Sequence, residues 1–362
     1  MWRVATGCCL AVSVLLGCGA NHSPSVGQPF GADGGLRDTG ELVPEVDADA
    51  PSDAGTPRTD TGPAPTLPTD AGPVPPGAGP YPLVFVHGFA GFRDLGPINY
   101  FYNVAADLRG RGESVFEPVL APFASPAVRA PMLAQSLTGV LQRTGRARVV
   151  IIAHSQAGLD ARYLISSLGW GDRVAALVTV STPHRGTRLA DALLGRVPEA
   201  SDALLNGAAT LLGFAYNEAR SRADLRAALT ALSEGDNEAF QRANPDDPRV
   251  RYFSYAGRSN SRDGRGPCAD GEVADEPSLT DTAFLPLAPF ARLLERDNPG
   301  RYVNDGLVTV ESARWGRFMG CVPADHFDEV GQIARRGPVP GSNFDHVLFY
   351  RDVVRRLRQE GL

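Results

Sequence analysis

The sequence contains no lysine. All 35 basic residues are arginines, and 41 acidic residues outnumber them, which leaves a formal net charge of −6. A nucleic-acid-binding surface needs an excess of basic side chains to neutralise phosphates, so this balance argues against nucleic acid as a partner. The apolar run near the N-terminus, residues 8–16, is also shorter than the roughly 20 residues that a membrane-spanning helix requires.

The first 20 residues are typical of an export signal, with Arg3 ahead of the short apolar run. Residues 15–18, Leu-Leu-Gly-Cys, resemble a bacterial lipobox, in which the cysteine is acylated and becomes the first residue of the mature protein. The resemblance predicts a lipid anchor on Cys18. Because Gly19 follows, we expect an exported lipoprotein of the outer membrane or cell surface. An ordinary cleaved signal and a secreted protein are the alternative.

Aromatic side chains are almost absent from residues 19–80, where Phe30 stands alone among many prolines and glycines, nine acidic residues and two arginines. Such a segment cannot bury enough apolar surface to offset the entropy lost on ordering. We therefore predict three parts: a signal peptide over 1–18, a disordered tether over 19–80, and a folded domain over 81–362.

Cysteine is scarce as well, with five residues in the chain. Cys8 and Cys9 belong to the signal and Cys18 carries the predicted lipid, which leaves Cys268 and Cys321 in an exported domain. A disulfide between these two is the simplest expectation. Two free or buried thiols are the alternative.

Apolar, β-branched runs alternate with helical patterns along the predicted domain. The predicted strands are 81–86, 148–153, 174–180 and 249–256, with a further short strand within 301–310. The predicted helices are 100–111, 130–145, one beginning near 155, and 347–358, with two or three more inserted within 186–245. Strands that alternate with helices predict an α/β fold, in which a parallel sheet is covered by helices on both faces.

Ser155 lies between a predicted strand and a predicted helix, with the small residues Ala153 and Ala157 two positions before and after it. This is the pattern of a nucleophile elbow, where a sharp turn exposes the serine and the helix N-terminus stabilises developing negative charge. Both of the usual glycines are alanines here. A serine that merely caps the helix is the alternative.

An oxyanion site is predicted at the end of the first strand. The strand runs into His87 and Gly88, so that the next N–H, that of Phe89, can turn toward a substrate oxygen. The second donor would be the N–H of Gln156, directly after the nucleophile. A plain strand-to-loop turn is the alternative.

Several further stretches occur in a fixed order with these turns. They are Tyr81-Pro-Leu-Val-Phe-Val-His-Gly-Phe89, His154-Ser-Gln156, Arg162-Tyr163, Ser181-Thr-Pro-His-Arg-Gly186, Tyr252-Phe-Ser-Tyr-Ala-Gly257, Asn304-Asp-Gly-Leu-Val308 and Asp325-His-Phe-Asp-Glu-Val-Gly-Gln332. Together they resemble the bacterial true lipases of the α/β-hydrolase fold, typified by those of Pseudomonas and Burkholderia. The resemblance implies that fold, with a mostly parallel central sheet and a helical lid within an insertion at about 187–245.

The acid and the base are placed by the resemblance, since in this fold they follow the serine in the order acid, then histidine. It assigns Asp305 as the acid and His326 as the base. His346, ahead of the last helix, is the alternative base, and Asp281 is a rival acid. Asp305 could otherwise belong to an ordinary Asn-Asp-Gly turn.

The resemblance also implies a structural Ca²⁺ near the catalytic histidine, where oxygen ligands suit a hard cation. The matching ligands are Asp281, Asp328 and the carbonyls of Gln332 and Arg336. Asp275 or Asp270 could replace Asp281, and Asp328 could instead be a salt-bridged surface acid.

These features predict a serine carboxylic-ester hydrolase, most simply a lipase acting on acylglycerols through an acyl-enzyme on Ser155. Apolar residues within 199–235 predict a lid that opens onto lipid, with a fixed helical cap as the alternative. A lipase-specific folding chaperone is a further implied partner. A short-chain or polyester esterase is the nearest alternative function, followed by an anchored binding protein without turnover and a structural lipoprotein.

Overall fold

The computed structural model describes residues 80–91, 94–95, 98–197, 222–259, 287–295, 303–332, 339 and 342–362. The chain divides into two units, Met1–Pro65 and Thr66–Leu362, and all described residues belong to the second. The predicted signal, lipidated Cys18 and most of the tether lie outside the described residues. Among the described helices, none has the length and hydropathy that crossing a membrane requires.

A six-stranded parallel sheet forms the centre of the domain. The strands are β1 (Leu83–Val86), β2 (Asp94–Leu95), β3 (Ile98–Asn99), β4 (Val115–Phe116), β5 (Val149–His154), β6 (Val174–Val180), β7 (Arg251–Gly257) and β8 (Arg317–Val322). The sheet has the order β4-β1-β5-β6-β7-β8, and every adjacent pair is parallel. Strands β2 and β3 form a separate antiparallel pair.

Nine described helices connect or cover these strands. They are α1 (Val104–Gly110), α2 (Pro126–Thr144), α3 (Ala157–Ser166), α4 (Arg188–Leu193), α5 (Arg222–Leu232), α6 (Glu234–Ala243), α7 (Ala288–Glu295), α8 (Val310–Ala313) and α9 (His346–Gln359). Helix α2 begins with Pro126, whose fixed φ suits a first turn. It ends before Gly145, which has a φ of 64°, the left-handed conformation that commonly stops a helix.

Two hydrophobic layers bury both faces of the sheet, as a parallel sheet requires. Ile152 packs with α1 and α9 on one face, and Ile151 packs with α2 and α3 on the other. Neither isoleucine is exposed to solvent. Each such buried side chain contributes about 1.5–3 kcal/mol, so the continuous apolar runs of β5 and β6 account for their central position.

The predicted strand over 174–180 is confirmed residue for residue, and the helices predicted within 186–245 are present where that segment is described, as α4, α5 and α6. The short strand predicted within 301–310 is wrong. In its described part, residues 303–310, there is a single bridge between Asn304 and Thr309, and the Thr309 side chain then accepts the Ser312 N–H and starts α8. The last strand of the sheet, β8, was not predicted.

The outer strand β4 is short and is partly covered by a side chain. The guanidinium of Arg109 donates to the carbonyl oxygen of Val115 from Nε at 3.1 Å and from Nη2 at 2.9 Å. An edge-strand acceptor is thus already occupied within the molecule.

Candidate active site

Ser155 occupies the sharp turn between β5 and α3 in a strained conformation, with a φ of 58°. Its N–H donates to the Val180 carbonyl at 2.9 Å, and its carbonyl accepts the Thr182 hydroxyl at 2.7 Å. These two bonds hold a left-handed conformation that an L-residue seldom adopts without support. The turn therefore presents the serine side chain at the carboxyl end of the sheet, as the elbow pattern predicts.

The neighbours of the turn are small because the space is small. A Cβ at residue 158 would lie 2.2 Å from the Thr182 hydroxyl oxygen, so only glycine fits there. Ala153 and Ala157 are both fully buried. The two alanines that replace the usual glycines are thus accommodated in this turn.

Asp305 and His326 form a buried hydrogen-bonded pair. Nδ1 of His326 lies 2.7 Å from Oδ2 of Asp305. The other carboxylate oxygen, Oδ1, accepts the N–H groups of Leu307 and Val308 at 2.9 and 2.7 Å. Because both oxygens act as acceptors, Nδ1 carries the proton and Nε2 keeps a free lone pair, which can accept a proton from a hydroxyl.

His326 stands close to the serine turn. Its ring centroid is 4.5 Å from that of His154, the residue before Ser155. In the described part of the chain, no hydrogen bond joins Ser155 to His326, which is common before substrate binds. His346, the alternative base, lies instead against the Tyr102 carbonyl, with its Nε2 at 2.8 Å.

Both predicted oxyanion donors are available. Among the hydrogen bonds of the described residues, neither the N–H of Phe89 nor that of Gln156 has an acceptor. Gln156 is fully buried, and a buried N–H without an acceptor is rare in folded proteins. Both groups are thus free of acceptors within the described residues, and their assignment as oxyanion donors stays a prediction.

A polar network behind His326 involves residues that the sequence analysis did not assign. Nδ1 of His154 lies 2.8 Å from the Tyr100 hydroxyl, and its Nε2 lies 3.1 Å from Oε2 of Glu329. Oε1 of Glu329 accepts the Ser181 hydroxyl at 2.6 Å. Glu329 belongs to the stretch Asp325–Gln332, one of those that carry the resemblance. Its place in that stretch is a sequence signal for a site residue.

The protonation states of this network follow from burial. Burial, with a smaller effect from His326, holds the pKa of His154 well below its ordinary value. Burial and the nearby charge of Asp305 raise the pKa of Glu329 well above its ordinary value. Burial therefore favours the uncharged form of both groups at their contact.

One group of potential metal ligands occurs among the described residues. His154, His326 and Glu329 offer atoms that lie within 4.8 Å of one another. The bonds to Asp305 and Tyr100 described above already orient the two imidazole rings, which favours a proton-handling network at this place.

Two members of the predicted calcium site are described. Asp328 is buried two residues after His326, and Gln332 donates through its side chain to the Tyr100 carbonyl at 2.6 Å. A buried carboxylate in this loop fits a hard cation. Asp281 and Arg336 lie outside the described residues, so the full ligand set stays a prediction.

The structure describes one of the two cysteines of the predicted disulfide. Cys321, in β8, is disulfide-bonded. Cys268 lies outside the described residues, so the pairing of these two cysteines stays a prediction.

A cavity of about 560 Å³ lies elsewhere, at the β4 edge of the sheet, and its lining includes Phe116, Gln135 and Arg143. Its lining includes none of the residues of the candidate site. The strained serine, the oriented imidazole and the two N–H groups lie instead at the carboxyl ends of parallel strands.

The arrangement of Ser155, Asp305 and His326 is the one expected of a serine nucleophile with its acid and base, on a parallel sheet covered on both faces. Comparison with known proteins identifies the fold family. The pattern of the alpha/beta hydrolase fold family matches residues 81–261, half of the chain. The protein therefore belongs to the α/β-hydrolase fold family, and the fold and the family resemblance expected from the sequence are confirmed.

Curated relatives include the triacylglycerol lipase of Pseudomonas fragi, which is 27% identical over 304 residues that cover 78% of this chain and 97% of the relative. The triacylglycerol lipase of Burkholderia plantarii is 28% identical over 319 residues, covering 78% of this chain and 87% of the relative.

Solved structures with the same fold include a lipase of Staphylococcus hyicus. It has a TM-score of 0.55 and 19% identity, over 79% of this chain and 97% of that protein. A lipase of Bacillus licheniformis in its mature form has a TM-score of 0.52 and 22% identity, over 72% of this chain and 90% of that protein.

Proposed function

We propose that the protein is a serine carboxylic-ester hydrolase and that its substrates are acylglycerols. The observation that carries the proposal is the Asp305–His326 pair, 2.7 Å apart at Oδ2 and Nδ1, next to a serine held at a φ of 58°. A strained serine beside an oriented imidazole is the arrangement that activates a hydroxyl for attack on an ester.

The chemistry proceeds in two halves. Nε2 of His326 accepts the Ser155 proton as Oγ bonds to the ester carbonyl carbon, and Asp305 stabilises the resulting imidazolium. The N–H groups of Phe89 and Gln156 bind the oxyanion. His326 then gives its proton to the departing alcohol, which leaves an acyl-enzyme. Water, deprotonated by His326, releases the fatty acid and restores the serine.

The acylglycerol substrate is supported by the names of the curated relatives, several of which are triacylglycerol lipases. A helical insertion between β6 and β7 supports a lid, since α4, α5 and α6 lie there. An apolar face on a movable part of this insertion would open onto a lipid surface.

The test is an assay of the purified full-length protein, with calcium, on p-nitrophenyl esters with acyl chains from two to sixteen carbons. A Ser155→Ala variant is measured alongside. Hydrolysis of the long-chain esters that is lost in the variant is the expected result. Hydrolysis limited to short chains would assign an esterase instead, and a folded but inactive wild-type protein would point to an anchored binding protein.

A structural Ca²⁺ belongs to the proposal, held by Asp281, Asp328 and the carbonyls of Gln332 and Arg336. When bound it would supply no reaction step and would fix the loop that carries His326. The buried carboxylate of Asp328 supports this placement. The disulfide between Cys268 and Cys321 would stabilise the same end of the sheet, and intact mass with and without reductant tests it.

We also propose that lipidated Cys18 anchors the exported enzyme to the outer membrane or cell surface, with residues 19–80 as a tether. Metabolic labelling with a fatty acid, compared with a Cys18→Ser variant, tests the anchor. A folding chaperone is proposed on the resemblance to lipases that need one, and co-expression with such a chaperone tests it.

A further inference from the structure

A buried ion pair connects the two turns that carry the oxyanion donors. Nε of Arg129, in α2, donates to Oδ2 of Asp160, in α3, at 2.7 Å. Both side chains are completely excluded from solvent. The pair therefore lies inside the protein, between the nucleophile helix and the turn after β1.

Arg129 uses its other donors on backbone carbonyls. Nη2 donates to the carbonyl of His87 at 2.6 Å, and Nη1 donates to that of Ala121 at 2.7 Å. The His87 carbonyl belongs to the peptide that leads into Gly88. The guanidinium thus fixes the first peptide plane of the turn formed by residues 87–89, the oxyanion turn.

The next peptide plane is fixed from the other side. The carbonyl oxygen of Gly88 lies 3.0 Å from Nδ1 of His87 and accepts the Gly91 N–H at 3.2 Å. In a trans peptide the carbonyl and the N–H point in opposite directions. Holding the Gly88 carbonyl therefore sets the direction of the Phe89 N–H, the first oxyanion donor.

Asp160 is linked through the backbone of α3 to Gln156, whose N–H is the second oxyanion donor. Its N–H donates to the carbonyl of Gln156 at 3.2 Å, one helical turn earlier. The Gln156 side chain also donates to the Ala124 carbonyl at 2.7 Å. Ala124 follows the loop that Arg129 holds at Ala121, so the pair and this loop connect the two donors rigidly.

The energetics of the pair favour a geometric role over a stabilising one. The second carboxylate oxygen of Asp160, Oδ1, is buried without a hydrogen-bond partner among the described residues. Burial raises the pKa of Asp160 to about 6 in spite of the opposing charge of Arg129. A buried ion pair with an unsatisfied oxygen is seldom better for stability than two apolar side chains of the same volume.

We propose that Asp160 is a positioning residue for the oxyanion site, acting through Arg129 to hold the N–H groups of Phe89 and Gln156 at a fixed separation. The inference rests on the proposed ester hydrolysis. Without the carboxylate, the guanidinium loses the charged acceptor that holds it, and it is held less firmly against the His87 carbonyl. The first peptide plane of the turn then loses its support.

The test compares Asp160→Asn with wild type on p-nitrophenyl butyrate and measures the inhibition constant of an alkylboronic acid. A boronate bonded to Ser155 places an oxygen in the oxyanion site, so its affinity reports on the donors directly. Asp107→Asn is the matched control, because Asp107 pairs with Arg351 between α1 and α9, away from the site.

Removing one oxyanion donor outright costs about 10²–10³ in kcat, so misplacing one is expected to cost about 10–100-fold. In Asp160→Asn, kcat should fall by that factor and KM should stay within about threefold. The inhibition constant of the boronate should rise in parallel with the loss of kcat/KM. The Asp107→Asn enzyme should keep kcat and boronate affinity within about twofold.

A purely structural role gives a different result. Melting temperature would then fall in both variants, while kcat of the folded enzyme and boronate affinity stayed at wild-type values, and this would overturn the proposal. If Asp160→Asn does not fold, the double variant Arg129→Met with Asp160→Leu removes both charges together. Low kcat in that folded variant supports the proposal, and wild-type kcat refutes it.

Failure of the proposed function is distinguishable from these outcomes. A folded wild-type enzyme that neither hydrolyses esters nor binds the boronate would overturn the ester-hydrolase proposal and this inference together. An active wild type with an unaffected Asp160→Asn variant would overturn the positioning role alone.

Discussion

Gly88 and Ser155 approach so closely that residue 88 has no room for a side chain. A Cβ at residue 88 would lie 2.6 Å from the Ser155 Cβ and 3.0 Å from the His154 carbonyl oxygen. The oxyanion turn and the nucleophile turn are thus in direct contact. Glycine is required at residue 88 because the residues at the end of β5 leave no space for a Cβ. This holds independently of the φ of residue 88.

We expect Gly88→Ala to impair both stability and turnover. Overpacking of this kind costs about 1–3 kcal/mol, and a shift of about 1 Å between reacting groups costs about 10²-fold in rate. Urea unfolding and p-nitrophenyl butyrate hydrolysis measure the two effects. Gly110→Ala is the control. Because no described atom outside its own helix backbone and chain neighbours lies within 4 Å of its Cβ position at the end of α1, stability should stay equal or rise by about 0.5–1 kcal/mol.

Ser155→Ala should lower turnover by about 10⁴-fold or more while the melting temperature stays near that of wild type. In the proposed mechanism the hydroxyl is the attacking group, and the variant lacks it. Ser136→Ala is a matched control, since the Ser136 hydroxyl only donates to the Met132 carbonyl on the exposed face of α2. Full activity in Ser155→Ala would remove the acyl-enzyme mechanism.

Glu329→Gln should gain stability over wild type as pH rises. Burial and the charge of Asp305 raise the pKa of Glu329 in the folded state. Above pH 4.5 the folded protein therefore keeps a proton that the unfolded chain releases, and wild-type stability falls with rising pH. Glutamine stays neutral, so the difference in unfolding free energy should grow by up to about 1.4 kcal/mol per pH unit.

Urea unfolding of both proteins at pH 5, 6 and 7 measures this difference. A difference that stays constant over the three pH values would mean that Glu329 is ionised in the folded protein. The glutamine side chain of the variant keeps an oxygen for the Ser181 hydroxyl and an amide group facing Nε2 of His154, the two contacts that Glu329 makes.

Chelation of calcium should lower the melting temperature of wild type and leave that of Asp328→Ala unchanged, because a ligand that binds only the folded state stabilises it by mass action. The variant should melt at the temperature of the chelated wild type. Thermal unfolding with excess calcium and with chelator measures both. Equal melting temperatures for wild type under the two conditions would contradict the calcium proposal.

The centre of the fold was predictable because its signal is local. β6 is a continuous apolar run, and such a run is typical of a strand covered on both faces. β8 was not predictable in the same way, since Arg317 is exposed, Gly320 interrupts the run, and pairing with β7 creates the strand. The strand expected within 301–310 failed because turn and capping bonds around Asp305 and Thr309 outweigh the apolar pattern.

The same difference between local and long-range signals applies to the residues of the site. Ser155, Asp305 and His326 were placed by motif and order in the chain. The network behind them was not, because it joins residues far apart in sequence, such as His154 with Glu329 and Arg129 with Asp160. Only the fold brings these partners together. The local sequence around one member of a pair does not identify the other member.

The arginine of α1 that covers the outer strand β4 affects the behaviour of the protein in concentrated solution. A sheet edge grows into larger assemblies when a strand of another copy finds free backbone acceptors. Here the edge is two residues long and the Val115 carbonyl is already bound by Arg109. Arg109→Ala should therefore shorten the lag time of aggregation at high concentration while ester hydrolysis continues at the wild-type rate.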